Sequence, residues 1–132
     1  MTRRQAVIAL AAFLVACDRA PRCSTCGMKL DPSSPWRAEL SEDGRARAFD
    51  TPRCALVAWD KGGRKGALSL QEFYDRAPRP ASELRFVAGS DVLGPMGAEL
   101  VPVAPDHVEK FRRDHGGAKV LALEALTAED LR

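Results

Sequence analysis

The clearest helix signal in the chain is residues 51–63, which read TPRCALVAWDKGG. Thr51 has a side chain suited to a helix N-cap, and Pro52 fits the first helical position, where no backbone N–H is needed. The paired glycines at the end of the stretch give the helix its stop. The stretch therefore predicts one short helix, and its apolar positions are Cys54, Leu56, Val57 and Trp59.

Strand patterns lie on both sides of this helix. Trp36–Leu40 alternates apolar and polar side chains, which is typical of a half-buried strand. Ser41–Gly44 has the composition of a hairpin turn, and Arg45–Asp50 continues as the returning strand. A further extended stretch, Ala67–Phe73, follows the helix. The first half of the chain is thus predicted to run strand, strand, helix, strand.

The second half of the chain repeats this order. Strands are predicted at Glu83–Ala88 and Glu99–Val103, followed by a helix at Pro105–His115 that two glycines stop, and by a last strand at Lys119–Leu123. The two helix starts lie about 50 residues apart. A unit of that size buries its own core poorly, so two such units are expected to pack together.

The fold class predicted from this pattern is α+β, with two tandem packed ββαβ modules after a signal peptide. The first module is placed at residues 23–77 and the second at residues 78–132. The connection between them is expected within residues 76–80, where two prolines lie in a polar stretch. Residues 126–132 are predicted to form a short terminal helix or a fraying tail.

The N-terminus has the features of an exported lipoprotein. Residues 1–16 place two arginines before an uncharged apolar run, which is too short to cross the roughly 30 Å hydrocarbon core of a bilayer and is predicted to be a signal peptide. The following residues, LVAC at 14–17, resemble a bacterial lipoprotein box, so Cys17 is the predicted lipidation site. Residues 17–22 then form a lipidated tether, and the domain is expected on the periplasmic side of a bacterial membrane.

The composition argues against several classes of function. Apolar residues make up 45% of the chain and charged residues 29%, which is typical of a globular domain. Without Arg3 and Arg4, 18 basic residues balance 18 acidic ones, so the chain lacks the basic excess that nucleic-acid binding needs. The sequence contains no Gly-x-Ser-x-Gly, His-Glu-x-x-His or phosphate-binding loop. We therefore do not expect an enzyme.

Three sulfur-bearing residues stand close together at the start of the predicted domain. Cys23, Cys26 and Met28 lie within six residues, and a Cys-x-x-Cys pair can chelate one ion from a single loop. Gly27 gives the backbone freedom to turn Met28 inward. Because thioether and thiolate ligands together favour soft ions, the cluster predicts a Cu(I) site.

Other interpretations of the cysteine pair remain open from the residues alone. Cys23 and Cys26 could form a thioredoxin-like redox pair, although that motif opens a helix after a strand, whereas this pair precedes a proline-rich turn. They could also form a structural disulfide, which an exported protein permits. A structural zinc site would need a fourth ligand from a more distant residue: Cys54, His107 or His115.

Met96 is a second candidate ligand, far from the cysteines in sequence. It lies between Pro95 and Gly97 in a tight loop, where a thioether can reach an ion, or can instead pack over the interface between the modules. Cys54 falls on the apolar face of the first predicted helix and is interpreted as a small buried hydrophobe. The two histidines are interpreted as solvent-facing or structural.

Taken in order, these motifs resemble the NosL family, the lipoprotein accessory proteins of nitrous oxide reductase assembly. The resemblance covers nearly all of the chain after the signal peptide. It rests on five stretches in this order: the lipoprotein box at residues 14–17, CSTCGM at 23–28, AFDTPRC at 48–54, GPMG at 94–97, and the stretch from Phe111 through HGGAKVL at 115–121.

The resemblance implies a pair of ββαβ modules, Cu(I) binding and copper delivery to an exported copper enzyme. The family's Cys-x-Met element corresponds to Cys26 and Met28, and its Met-Gly loop corresponds to Met96 and Gly97. Cys23 is an additional candidate ligand. The expected partners are a client copper enzyme, nitrous oxide reductase, which belongs to denitrification, and a membrane copper exporter. The alternative function is that of a periplasmic thiol-disulfide oxidoreductase acting through Cys23 and Cys26.

Overall fold

The first half of the chain forms a four-stranded antiparallel sheet with one helix against it. The structure is a computed structural model and describes residues 20–132. The strand order is β2-β1-β3-β4, and β1 pairs with both β2 and β3. The elements are β1 (Ala38–Glu42), β2 (Arg45–Phe49), α1 (Pro52–Lys61), β3 (Ala67–Gln71) and β4 (Pro78–Pro80).

Helix α1 begins and ends where the sequence predicts. The side chain of Thr51 caps its first turn, accepting a hydrogen bond of 3.0 Å from the backbone N–H of Cys54. At the other end, Gly62 donates its N–H to the carbonyl of Ala58. The helix buries Leu56 and four other residues against the first sheet and the segments around it. This packing explains why a ten-residue helix is stable here, since isolated helices of that length are marginal in water.

The second half of the chain forms a three-stranded antiparallel sheet in the order β8-β5-β9. A short hairpin of β6 and β7 precedes β8, and the second helix runs between β8 and β9. The first turn of the predicted helix, Pro105–His107, is a 3-10 turn that leads into α2. The elements are β5 (Arg85–Ser90), β6 (Leu93–Gly94), β7 (Gly97–Ala98), β8 (Val101–Val103), α2 (Val108–His115) and β9 (Gly116–Ala122).

The two halves share one main hydrophobic core. Phe49 and Leu70 from the first sheet are in the same buried cluster as Leu84, Phe86 and Leu100 from the second half. A smaller cluster lies under α2, where Phe111 packs with valines of β5 and β8. The α+β fold class is therefore confirmed, and each half has the predicted strand, strand, helix, strand order, with β4 and the β6–β7 hairpin as additions.

Two segments differ from the prediction: the connection between the two halves and the C-terminal segment. The expected connection at residues 76–80 contains β4, which pairs with β3, so the first sheet extends three residues beyond the predicted boundary. The C-terminal segment is neither a helix nor a fraying tail, because Leu126 and Leu131 are buried in the main core. The guanidinium of Arg53 also donates to the carbonyls of Asp130 and Arg132.

The N-terminal predictions concern a part of the chain that the structure does not describe. The predicted signal peptide at residues 1–16 and the predicted lipidation site, Cys17, lie outside the described residues. Within residues 20–132, no helix is long and apolar enough to cross a membrane. The end of the predicted tether is held on the domain, since Arg22 forms a β-bridge with Lys29.

Candidate metal centre

The Cys-x-x-Cys stretch forms a closed turn. The N–H of Cys23 donates to the carbonyl of Met28 over 2.8 Å, and the N–H of Gly27 donates to the carbonyl of Cys23 over 2.9 Å. Gly27 has a positive φ of 77°, which a residue with a side chain adopts only with strain. The turn is tied to β2 through the N–H of Ser24, which donates to the carbonyl of Ala48. The local sequence thus fixes Cys23 and Cys26 on one rigid loop.

The first turn of α1 and the residue before its N-cap bring a third cysteine and a carboxylate to the cysteine turn. The metal-ligating atoms of Cys23, Cys26, Asp50 and Cys54 all lie within 4.8 Å of one another. The hydroxyl of Thr25 donates to the carbonyl of Cys54 over 2.8 Å, which fastens the turn to the first turn of the helix. The three cysteines of the described chain are free thiols. Three sulfurs and one oxygen are therefore gathered at the N-terminus of α1.

Burial keeps the thiols of Cys26 and Cys54 protonated near neutral pH. It raises the pKa of Cys26, the backbone N–H of Met28 partly opposes this rise, and the carboxylate of Asp50 adds to it. Burial raises the pKa of Cys54 as well. The Cys26 thiol donates to Oδ1 of Asp50 over 3.2 Å. A metal ion that binds thiolates must therefore displace protons, which makes binding stronger as the pH rises.

The cluster opens into a surface cavity at the meeting point of the two halves. Cys26 and Cys54 line this cavity from the first half, and Met96 and Glu99 line it from the second. The last two residues of the chain, Leu131 and Arg132, form another part of the wall. Met96 thus reaches the same cavity as two of the cysteines, although it is about 70 residues away in sequence.

The two candidate methionines are exposed side chains. Met96 is 60% exposed in the turn between β6 and β7. Met28 is 45% exposed at the end of the cysteine turn and is not among the residues that line the cavity. The structure therefore places Cys23 and Cys26 together with Cys54. It puts the exposed Met96 on the wall of the cavity that Cys26 and Cys54 line, and Met28 is not part of that wall.

Glu99 connects the two halves beside the cavity. Its Oε1 accepts hydrogen bonds of 2.9 Å from the N–H of Arg53, in α1, and from its own neighbour Leu100. Burial raises the pKa of Glu99 to about 7, although both backbone donors favour its ionised form. Because Arg53 lies one residue before Cys54, this carboxylate fixes the helix N-terminus relative to the segment that follows Met96.

The two histidines lie away from the cysteines. Nδ1 of His107 is 2.9 Å from Oε1 of the buried Glu72, and Nδ1 of His115 is 3.0 Å from Oδ1 of Asp91. Both imidazole rings also pack against aromatic side chains around Phe111 and Tyr74. These contacts give both histidines a structural role, and the described metal-ligating cluster does not include them.

Sequence patterns do not predict Asp50 as a member of this cluster. They place Asp50 at the end of a strand, and they predict Cys54 as a buried residue of the first helix, with ligation of a structural zinc ion as the alternative. The sequence feature that could have predicted both residues is their spacing around the start of the helix. Asp50 comes directly before the N-cap, and Cys54 follows four residues later. That spacing places both side chains near one helix N-terminus, although it does not reveal that the cysteine turn lies there too.

Comparisons with known proteins identify the family and agree with the fold. The NosL family model matches residues 14–131 of the chain. The fold is similar to the crystal structure of the copper chaperone NosL from Shewanella denitrificans, with a TM-score of 0.65 and 19% sequence identity. The alignment covers 85% of this chain and 93% of that chain. No curated protein matches the chain in sequence. At this identity the structural similarity establishes a common fold.

Proposed function

The chain belongs to the NosL family, and on that premise we propose that it is a Cu(I)-binding metallochaperone with no catalytic turnover of its own. The observation that carries this proposal is the cluster of Cys23, Cys26 and Cys54 beside a cavity that Met96 also lines. Sulfur donors of both kinds favour Cu(I), whereas thioethers are poor ligands for harder ions. A copper chaperone with the same fold supports the same cargo.

Cys26 is the central ligand in this proposal. Of the two cysteines on the turn, Cys26 is the one that belongs to the thiol cluster and also lines the cavity. Cys23 supplies a second thiolate from the same turn, and Met96 supplies a thioether from the opposite wall. Met28 does not line the cavity, and it takes part during copper transfer, when its exposed side chain turns toward the ion.

The accessibility of the site fits transfer better than storage. A chaperone hands over its ion by letting a partner's ligand bind before its own ligands leave, so at least one donor must be reachable from solvent. Cys26 is partly exposed and Met96 is 60% exposed. A client protein can therefore reach the copper ion at the cavity mouth without unfolding of the core.

The proposed partners follow from the family and from the N-terminal sequence. The client is an extracytoplasmic copper enzyme, nitrous oxide reductase, and a membrane copper exporter is the source of the ion. The lipoprotein box supports an anchor at Cys17 on the periplasmic side of a bacterial membrane. A protein held at that surface meets copper as it leaves the exporter.

A thiol-disulfide oxidoreductase is the second candidate function, and the closeness of three free thiols supports it. In this alternative the protein would reduce cysteines of the client before copper is inserted. Against it, residues 24–26 form a turn followed by a proline-rich segment, and Cys23 does not open a helix as the redox motif requires.

Copper transfer to copper-free nitrous oxide reductase separates the two functions. The copper-loaded protein is expected to restore the reductase activity faster than the same amount of Cu(I) supplied as a chelator complex. The copper-free, reduced protein added together with that complex serves as the control. Equal rates for the loaded protein and the complex alone contradict the chaperone function, whereas faster restoration by the unloaded protein, under conditions in which it takes up no copper, indicates the oxidoreductase.

A further inference from the structure

One thiol of the cluster, Cys54, has no part in the ligand set derived so far. Its side chain lies on the first turn of α1, is 7% exposed, and is within 4.8 Å of the other cluster ligands. We propose that Cys54 is a third sulfur ligand, so that Cys23, Cys26 and Cys54 surround Cu(I) at the base of the cavity. Met96 then contacts the ion at the mouth, during entry and release. This inference rests on the proposed copper function and specifies how the site works.

The spacing of the sulfurs suits a three-coordinate ion. A metal ion bound at about 2.3 Å from each of three thiolates holds the sulfurs about 4 Å apart. The cluster sulfurs are separated by no more than 4.8 Å before any ion binds. Closing around the ion therefore requires each sulfur to move by well under about 1 Å, which a change of side-chain torsion supplies.

The backbone holds Cys54 in place for this role. Its N–H donates to the Thr51 hydroxyl over 3.0 Å, and its carbonyl accepts from the Thr25 hydroxyl over 2.8 Å. Thr25 lies between the other two cysteines in sequence, so this second bond fixes the distance between the helix and the cysteine turn. Ligands that are fixed before the ion arrives lose little conformational entropy on binding.

Asp50 supplies an independent sign that a cation binds here. Its carboxylate is 7% exposed, and while Oδ1 accepts from the Cys26 thiol, Oδ2 is buried without a hydrogen-bond partner in the described part of the chain. Buried polar atoms are rarely left unpaired, because each costs free energy, and a bound ion is one common explanation. Since Cu(I) prefers sulfur, Asp50 acts through its charge and by orienting Cys26, as a positioning residue.

Exposure then divides the donors into an inner and an outer group. Cys23 and Cys54 are almost fully buried, whereas Met96 is 60% exposed. Cys26 is intermediate in exposure, and it belongs to both groups. Each bond from a thiolate to copper replaces an S–H bond, and the proton leaves to solvent. The inner group thus sets how tightly copper is held, and the outer group sets how fast it is exchanged.

The test compares Cys54→Ser with Met96→Leu as its matched control, on the full chain purified under reducing, oxygen-free conditions. X-ray absorption on the copper-loaded wild type is expected to show three sulfur neighbours at about 2.3 Å. Cys54→Ser is expected to lose one of them and to lower the Cu(I) affinity by more than about 100-fold, beyond the cost of removing a group outside the ligand set. Met96→Leu is expected to keep three sulfurs and an affinity within about threefold of wild type, and to change the rate of release to a chelator.

Two results would overturn the inference. The first is a wild-type spectrum with only two sulfur neighbours, which needs no variant and is independent of folding. The second is a folded Cys54→Ser protein, checked by circular dichroism, whose sulfur count and affinity equal those of wild type. If Cys26→Ser lowers the affinity on the order of 1,000-fold or more in the same assay, the proposed copper function survives that failure; a loss below about tenfold contradicts both proposals.

Discussion

Replacing Cys26 with serine is expected to lower the affinity for Cu(I) on the order of 1,000-fold or more. Removing a group that only supports a metal ligand typically costs roughly 10- to 100-fold, and removal of a central ligand should exceed that range. Cys26 lines the solvent-facing cavity and is the most exposed of the three clustered thiols. Its loss removes a ligand from both the inner and the outer group of donors. Competition with a Cu(I) chelator measures the effect.

Cys23→Ser is the matched control for this prediction. Both residues lie on the same turn, but Cys23 is buried and the family resemblance places the primary thiolate at Cys26. The Cys23 variant should therefore lose less affinity than the Cys26 variant. The reverse order, or an affinity loss for Cys26→Ser that stays below about tenfold, is incompatible with Cys26 as the central ligand.

Gly66→Ala is expected to lower the free energy of unfolding by about 3–4 kcal/mol, the largest effect on stability that we predict for a single methyl group. Gly66 has a φ of +89°, and a Cβ at this position would lie 2.6 Å from the backbone carbonyl of Ser41. The same atom would come within 3.2 Å of the Leu40 side chain. Because Ser41 and Leu40 belong to β1, relief of this clash must disturb the pairing of β1 with β3.

Gly44→Ala separates the clash from the backbone strain. Gly44 has a similar φ of +74°, but a Cβ there meets no atom within 4 Å. Its cost should be only that of the left-handed conformation, about 1–2 kcal/mol. Urea unfolding of both variants measures the difference. Equal destabilisation would show that the close approach at Gly66 relaxes without cost.

Local patterns were sufficient to predict most of the fold. The N-cap at Thr51, the glycine stop after α1 and the alternation in β1 each depend on neighbours within a few residues, and each is confirmed. The same holds for α2 and β9, although the first turn of the second helix is a 3-10 turn. Helix capping and the periodicity of apolar residues are therefore enough to predict the ββαβ order of both halves.

Features that depend on long-range packing were not predicted. β4 contains two prolines and has no strand pattern, but its position beside β3 at the sheet edge tolerates them. The C-terminal segment is short and partly charged, yet two leucines five residues apart bury themselves in the core. Neither outcome is visible in a local window of sequence.

The site illustrates the same limit. Residue type and local sequence predict the cysteine turn and the methionine loop. The presence of Asp50 and Cys54 in the metal-ligating cluster depends instead on how the turn packs on α1. That docking is set by one hydroxyl-to-carbonyl bond between Thr25 and Cys54 and by the main-chain bond of Ser24 to β2. Cys54 is buried in the main core, as the helix pattern predicts, and its sulfur also lies at the candidate metal centre.

The most direct test of copper binding at this sulfur cluster is a competition between metals on the reduced, full chain. The protein is titrated with Cu(I) against a chelator of known affinity, with and without an equimolar amount of Zn(II). A site of thiolates with a thioether at its mouth should bind one Cu(I) per chain and retain it when Zn(II) is present. Displacement of copper by equimolar Zn(II), or a Cu(I) affinity unchanged when Cys26 is replaced by serine, would contradict the account.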